Sequence, residues 1–139
     1  MRRLYFNEVV TRDGFQIEPD FIPTDAKVAL VDALSACGYA KIEVTSFTSP
    51  KAIPMLRDAE EVMGRIQRVP GVEYTVLVPN LRGAERALES RADELNLVMS
   101  VSETHNLAMD TSCSVFATNP GKSTHPTRLY SSGCLYCTV

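Results

Sequence analysis

Four short apolar segments alternate with longer segments of helical periodicity along this chain. The apolar segments are rich in β-branched and aromatic residues, and their sequences are LYFNEVV, YAKIEVTSF, VEYTVLV and ADELNLVMSVS. Short runs of this composition, bounded by glycine, proline and polar residues, predict β-strands. The pattern therefore predicts four strands, of which the first spans Leu4 to Val10.

Apolar residues recur at helical spacing between the predicted strands. The segment TDAKVALVDALSACG carries such a stripe, with Thr24 as a candidate N-cap and Gly38 at its end. A second helix is predicted in PKAIPMLRDAEEVMGRIQR, where Pro54 lies in or near the first turn, and a third in LRGAERALES. The predicted order is β-α-β-α-β-α-β, which implies parallel strands joined by crossover helices.

An open doubly wound sheet and a (β/α)8 barrel both fit this alternation. The glycine-rich dinucleotide fingerprint that would favour the open sheet is absent, since TRDGFQ has one glycine where GxGxxG needs three. A closed barrel needs about 250 residues, whereas this chain has 139. We therefore expect an α/β fold, a partial TIM barrel of about the first four β/α units, followed by an irregular C-terminal tail.

Composition and charge argue against nucleic acid and membrane as partners of this chain. The chain is 45% hydrophobic and 22% charged, with a net charge of −3, which argues against a nucleic-acid surface. No run approaches the roughly 20 apolar residues of a membrane span. Cys37 lies in a predicted helix and the other three cysteines fall in the last 27 residues, which is not a disulfide framework. We expect a cytoplasmic protein, with the mitochondrial matrix left open.

Polar residues occur at the strand ends, where parallel α/β folds place their chemistry. Arg12, Asp13 and Gln16 follow the first strand, whereas Glu43 and Ser46 belong to the second. A carboxylate within a parallel sheet is costly unless it is paired or metal-bound, and Arg12 is its natural partner. Three interpretations stay open here: an Arg-Asp-Gly turn without chemistry, a structural Arg–Glu bridge, and a site in which Asp13 binds Mg²⁺ or Mn²⁺.

Four blocks of sequence at consecutive strand ends together resemble hydroxymethylglutaryl-CoA lyases. The blocks are TRDGFQ, AKIEVTSFTSPKAIP, YTVLVPNLRGAERAL and SVSETHNLA, and their order and spacing match over about residues 4–108. The wider group is the TIM-barrel metallolyases marked by an Asp-Arg-Glu trio, and SFTSPKAIP favours the lyase branch over the related synthases. The resemblance implies metal-dependent cleavage of 3-hydroxy-3-methylglutaryl-CoA to acetyl-CoA and acetoacetate, a carbon–carbon lyase reaction of leucine degradation.

The resemblance also implies a role for each matching residue. Asp13 would bind the divalent metal, Mg²⁺ or Mn²⁺. Arg12 would hold the carbonyl oxygen of the acyl-CoA substrate and stabilise the enolate that forms on cleavage. Glu43 would orient Arg12 and the substrate hydroxyl, and Gln16 and Ser46 would bind the substrate beside them.

Several family features have no counterpart in this chain. The resemblance would require a His-x-His pair and a later asparagine as metal ligands, together with a glycine-rich loop that carries a cysteine. His105 and His125 do not form the pair, so metal binding is expected to be weak. The family's asparagine and lysine after the first motif are Ile17 and Pro19 here, which leaves the acyl-CoA contact from this loop open.

The sequence changes character near its C-terminal end. We expect residues 1–108 to be the N-terminal half of a lyase barrel and residues 109–139 to be an irregular tail, either frameshifted or a variable extension. Its Cys134-x-x-Cys137 lacks the second pair that a structural zinc site usually has. We expect an incomplete, inactive form that can self-associate through open edges at strands one and four. The alternatives are a lyase for another 3-hydroxyacyl-CoA and a non-catalytic half-barrel that binds a partner.

Overall fold

The fold is built on four parallel strands, and helices cover one face of their sheet. A computed structural model describes residues 4–100 and 134–138, and the side chains of residues 4–98. The parallel strands lie side by side in chain order and are β1 (Asn7–Glu8), β2 (Lys41–Ser46), β3 (Glu73–Val78) and β4 (Glu94–Ser100). The parallel α/β arrangement predicted from the alternation of strands and helices is therefore confirmed.

Three helices connect the strands, namely α1 (Thr24–Ser35), α2 (Ala59–Arg65) and α3 (Leu81–Glu89). The Asn80 side chain caps α3, because its Oδ1 accepts a hydrogen bond of 2.9 Å from the amide of Gly83. Thr24 is not the N-cap of α1 as predicted. Pro23 occupies that position, and the Thr24 hydroxyl instead donates to Asp58 Oδ2 at 2.8 Å.

Two elements are shorter than the sequence pattern predicts. The first strand is limited to two residues, because Leu4, Tyr5 and Phe6 are 78%, 72% and 67% exposed and no described strand lies on their outer side. The second helix was expected from Pro50 and begins only at Ala59, after a 3₁₀ turn over Pro54–Leu56. Proline lacks the amide hydrogen that would extend an α-helix through this turn.

The two faces of the sheet differ in chemistry, because successive strand side chains point to opposite sides. One face packs against the helices and supplies the buried core: Ile42, Val44, Tyr74, Val76, Val78 and Leu97, with Val31 and Val62 from the helices. The opposite face carries Lys41, Glu43, Glu94 and Asn96, which line one cavity. The strands thus place polar side chains on a face that has no helix of its own among the described residues.

The edge of the sheet at β4 is not open, contrary to expectation. A further strand, β5 (Cys134–Thr138), pairs antiparallel with β4, so this part of the predicted irregular tail is extended. The pairing satisfies backbone groups that an apolar edge strand would otherwise leave without partners. His105, His125 and the predicted boundary at residue 108 lie outside the described residues. In the described part of the chain, no helix is long and apolar enough to cross a membrane.

A buried ion pair joins the start of α1 to the segment before α2. Lys27 Nζ lies 2.6 Å from Asp58 Oδ1, and it also donates a hydrogen bond of 2.6 Å to the Met55 carbonyl. The two charged side chains are only 3% and 8% exposed. This contact therefore fixes the position of the β2–α2 connection relative to α1.

Replacing Asp58 with alanine is expected to reduce the free energy of unfolding by about 3–5 kcal/mol, since the Lys27 ammonium would stay buried with the Met55 carbonyl but without a counter-charge. Chemical denaturation of the two proteins measures the difference. Arg65→Ala is the control, because Arg65 pairs with Asp25 and Glu61 on the surface and its loss should cost at most about 1 kcal/mol. Equal losses in the two variants would contradict the prediction.

Candidate active site

The first polar segment leaves the sheet as a π-helical turn, Val10–Gly14. The turn begins where the amides of Arg12 and Asp13 both donate to the Val9 carbonyl, at 3.1 Å and 2.7 Å. Thr11 is buried, and its hydroxyl donates a hydrogen bond of 3.0 Å to the backbone carbonyl of Glu43. The turn is therefore attached to β2 at the position of Glu43, and the side chain of Arg12 is brought to that carboxylate.

Arg12, Asp13 and Glu43 converge as predicted. Arg12 Nε lies 2.8 Å from Glu43 Oε1, while Arg12 Nη1 lies 2.6 Å from Asp13 Oδ1. The Arg12 and Glu43 side chains are 14% and 9% exposed, whereas Asp13 is 64% exposed. One guanidinium thus connects a buried carboxylate to a carboxylate at the surface.

The contact between Arg12 and Glu43 is an ion pair without a directed hydrogen bond. Arg12 Nε and Glu43 Oε1 are both buried, and neither atom has a hydrogen-bond partner among the described residues although they are close together. The N–H is therefore not aimed at the oxygen. Buried polar atoms are rarely left in this state, so both atoms have capacity to bind a ligand group.

One further side chain supports Glu43 directly, namely Asn96 on β4, and Asn96 also contacts Thr75 on β3. Asn96 Nδ2 donates to Glu43 Oε2 at 3.0 Å and lies 3.5 Å from Thr75 Oγ1. Burial raises the pKa of the Glu43 carboxyl above its usual value, and the positive charge of Arg12 and the Asn96 hydrogen bond only partly oppose this. The carboxylate therefore holds a proton more strongly than an exposed glutamate.

Sequence reasoning missed Thr11 and Asn96. The signal for Asn96 was present, because it is a polar residue inside the apolar run ELNLVMS, and the same argument had selected Glu43. No comparable signal existed for Thr11, whose hydroxyl acts through the Glu43 backbone. Only the fold brings both residues to Glu43, Thr11 to its backbone carbonyl and Asn96 to its carboxylate.

These residues surround a cavity of about 460 Å³ on the polar face of the sheet. Arg12 and Asp13 line it together with Lys41, Glu43, Glu94 and Asn96. The other two predicted substrate residues are not part of the lining that the described residues provide. Gln16 follows the π-helical turn, and the buried Ser46 hydroxyl forms a hydrogen bond of 2.7 Å with Thr48 Oγ1.

The described residues do not by themselves fit a complete metal site. No three histidine, cysteine, aspartate or glutamate side chains within that part of the chain cluster closely enough to hold an ion. Asp13 is the predicted ligand, and Arg12 is its partner at 2.6 Å. Mg²⁺ takes about six oxygen ligands, so one carboxylate would leave it mostly hydrated.

Comparison with known proteins decides the family. The HMGL-like family model matches residues 3–117, which is most of the chain. The chain belongs to the HMGL-like family. The resemblance inferred from the four sequence blocks is therefore confirmed, and the match covers all of the residues that converge at the cavity.

The curated relatives of this HMGL-like chain include hydroxymethylglutaryl-CoA lyases. The Bacillus subtilis enzyme is 49% identical over 105 residues, which cover 76% of this chain and 35% of the relative. The human mitochondrial enzyme is 43% identical over 102 residues, covering 73% of this chain and 31% of the relative. The chain thus spans about a third of the length of the curated relatives it matches.

Solved structures give the same result for the fold. An HMG-CoA lyase from Acinetobacter baumannii, solved with coenzyme A and 3-methylmalate, superposes with a TM-score of 0.77 at 53% identity. The match covers 82% of this chain and 38% of that one. The Bacillus subtilis lyase structure superposes with a TM-score of 0.74 at 46% identity. The HMGL-like chain therefore has the fold of the N-terminal part of these TIM-barrel lyases, which confirms the predicted partial barrel.

Proposed function

We propose that this chain supplies the Arg-Asp-Glu part of a hydroxymethylglutaryl-CoA lyase site. The substrate would be 3-hydroxy-3-methylglutaryl-CoA and the products acetyl-CoA and acetoacetate. The observation that carries the proposal is the ion pair between Arg12 Nε and Glu43 Oε1, which lie 2.8 Å apart beside the cavity. Neither atom has a hydrogen-bond partner among the described residues. The location of the protein, which we expect to be the cytoplasm, stays a prediction.

The proposed reaction breaks one carbon–carbon bond without a redox change. The 3-hydroxyl group loses its proton, the C2–C3 bond breaks, and its electron pair moves onto the thioester as an enolate. A proton taken up at C2 then completes acetyl-CoA, while the former hydroxyl oxygen becomes the keto oxygen of acetoacetate. Negative charge builds on the thioester oxygen, and a fixed guanidinium such as that of Arg12 stabilises it in a site that excludes water.

Glu43 would accept the hydrogen of the substrate hydroxyl. Within the part of the chain that the structure describes, its Oε1 atom has no hydrogen bond, and its raised pKa makes it a better proton acceptor than an exposed glutamate. Arg12 and Glu43 would therefore act at opposite ends of the bond that breaks. Gln16 and Ser46 remain proposed substrate contacts, the first beside the turn and the second at the end of β2.

Asp13 would contribute one ligand to a divalent metal. We expect titration calorimetry of the 139-residue chain with Mg²⁺ or Mn²⁺ to give a dissociation constant of about 1 mM or weaker, because most ligands would be water. Asp13→Asn should weaken the binding further, whereas Asp20→Asn, outside the site, should not. Tight stoichiometric binding would contradict the prediction and would mean that residues outside the described part supply ligands.

A chimera tests the proposed function directly. Residues 4–98 of this chain replace the corresponding segment of the Bacillus subtilis lyase, whose curated sequence is 49% identical to this chain over 105 residues. We expect acetyl-CoA release from hydroxymethylglutaryl-CoA at roughly 1 s⁻¹ or faster. Faster cleavage of another 3-hydroxyacyl-CoA would favour the alternative lyase. A folded chimera that turns over none of these acyl-CoA substrates would favour a non-catalytic half-barrel.

The isolated 139-residue polypeptide is expected to self-associate and to lack appreciable lyase activity. No described strand pairs with the outer edge of its first strand, where Leu4 and Phe6 are exposed. Such an apolar edge favours pairing between copies. Size-exclusion chromatography measures the association, and acetyl-CoA release with Mg²⁺ measures the activity. A well-folded monomer that turns over at about 1 s⁻¹ would contradict both expectations.

A further inference from the structure

We infer that Asn96 is a positioning residue for Glu43, and through Glu43 for Arg12. The inference concerns the geometry of the carboxylate, and it rests on the proposed function only for its effect on turnover. Asn96 lies on β4, two strands away from Glu43 in the sheet, and lines the same cavity. Its role follows from how the two oxygens of the Glu43 carboxylate are held.

Each oxygen of the carboxylate has a different kind of partner. Oε2 accepts the hydrogen bond of 3.0 Å from Asn96 Nδ2, whereas Oε1 lies beside Arg12 Nε without a hydrogen bond. Among the described residues, Asn96 is the only side chain that gives this carboxylate a directed hydrogen bond. The orientation of the carboxylate plane therefore depends on Asn96 more than on Arg12.

A glutamate carboxylate rotates easily when nothing holds it, because its terminal torsion has a broad and shallow preference. A donor that holds Oε2 restricts this rotation and leaves Oε1 directed at Arg12 and the cavity. Asn96 can supply such a fixed donor, since its side chain is short, only 8% exposed, and carried by a strand paired on both sides. It therefore keeps Oε1 in place for a ligand hydroxyl.

Packing alone does not account for an asparagine at this position. A buried amide costs free energy unless its hydrogen bonds are made, and leucine has a similar volume without that cost. The next residue, Leu97, points to the opposite face and packs in the apolar core. The amide of Asn96 is explained by the carboxylate that receives its hydrogen bond.

The test compares two Asn96 variants with a control on the same strand. In the ¹⁵N-arginine-labelled 139-residue chain, Asn96→Leu and Asn96→Asp should shift the Nε–Hε resonance of Arg12, because Glu43 reorients. Leu97→Val, which disturbs β4 from its other face, should leave that resonance in place. Circular dichroism confirms that each variant is folded. An unchanged Arg12 resonance in folded Asn96→Leu would overturn the inference.

Kinetics in the chimera supply the second readout. Asn96→Leu should lower kcat by about 10- to 100-fold, the usual effect of losing a residue that orients a functional group, with little change in KM. A more stable Asn96→Leu chimera with unchanged kcat would overturn the inference and leave Asn96 as a packing residue. If the parent chimera is inactive, the proposed function fails, and the Arg12 resonance still decides the role of Asn96.

Discussion

The Arg12→Gln chimera should have a kcat about 10²- to 10³-fold lower than its parent, the size of effect seen when a donor to a developing oxyanion is removed. Glutamine keeps hydrogen-bonding ability but removes the positive charge. The enolate oxygen would then develop its charge beside the buried Glu43 carboxyl with no cation 2.8 Å from that carboxyl. Steady-state measurement of acetyl-CoA release gives kcat and KM for both proteins.

The matched control for this prediction is Arg82→Gln. Arg82 is an exposed arginine in the first turn of α3 and does not line the cavity of the candidate site. Its replacement removes the same charge from the same chain, and kcat should stay within about twofold of the parent value, as expected for a surface change away from the site. Equal losses in the two variants would show that net charge, and not the placement of Arg12, supports turnover.

Glu43→Gln should stabilise the protein at neutral pH while lowering kcat by about 10²-fold or more. The stability effect follows from the pKa of the Glu43 carboxyl, which burial raises above its usual 4.5. The folded state then binds the proton more tightly than the unfolded state does. Glu43 therefore contributes stability below pH 4.5, and this contribution is lost as the pH rises through the pKa of the folded protein.

Ionisation of the buried carboxyl destabilises the folded state as the pH rises, and the neutral glutamine amide avoids this desolvation. We expect thermal unfolding of Glu43→Gln at a higher temperature than the parent at pH 7.5, with the difference shrinking at pH 4. Glu73→Gln is the control, because that carboxylate is 56% exposed and pairs with Lys41 at the surface. A lower unfolding temperature for Glu43→Gln at pH 7.5 would show that the Arg12 contact outweighs the burial of the charge.

Together these two results would show that the buried pair is retained for chemistry and not for stability. A buried ion pair often contributes little net stability, because desolvation of the charges offsets their attraction. The missing hydrogen bond between Arg12 Nε and Glu43 Oε1 weakens that attraction further. The same missing bond leaves both atoms ready for a ligand.

Local sequence patterns were sufficient for most of the fold and for the core of the site. Alternating strand and helix periodicities predicted four parallel strands, since each pattern depends only on which neighbours along the chain are apolar. The positions of Arg12, Asp13 and Glu43 at adjacent strand ends predicted their convergence, because parallel strands present their carboxyl ends at one edge. These expectations needed no knowledge of contacts between distant residues.

The remaining features were decided by the tertiary structure. The π-helical turn is attached to β2 because Thr11 bonds to the backbone carbonyl of Glu43, 32 positions away, and Asn96 reaches the carboxylate of Glu43 from 53 positions away. The Ser46 hydroxyl bonds with Thr48, and β4 is paired by Cys134–Thr138. Hydrogen bonds and strand pairings over such separations depend on three-dimensional register, which the pattern of neighbouring residues does not encode. The sequence alone therefore determined that Arg12, Asp13 and Glu43 meet, whereas the fold determined how their atoms are held and that Thr11 and Asn96 join them.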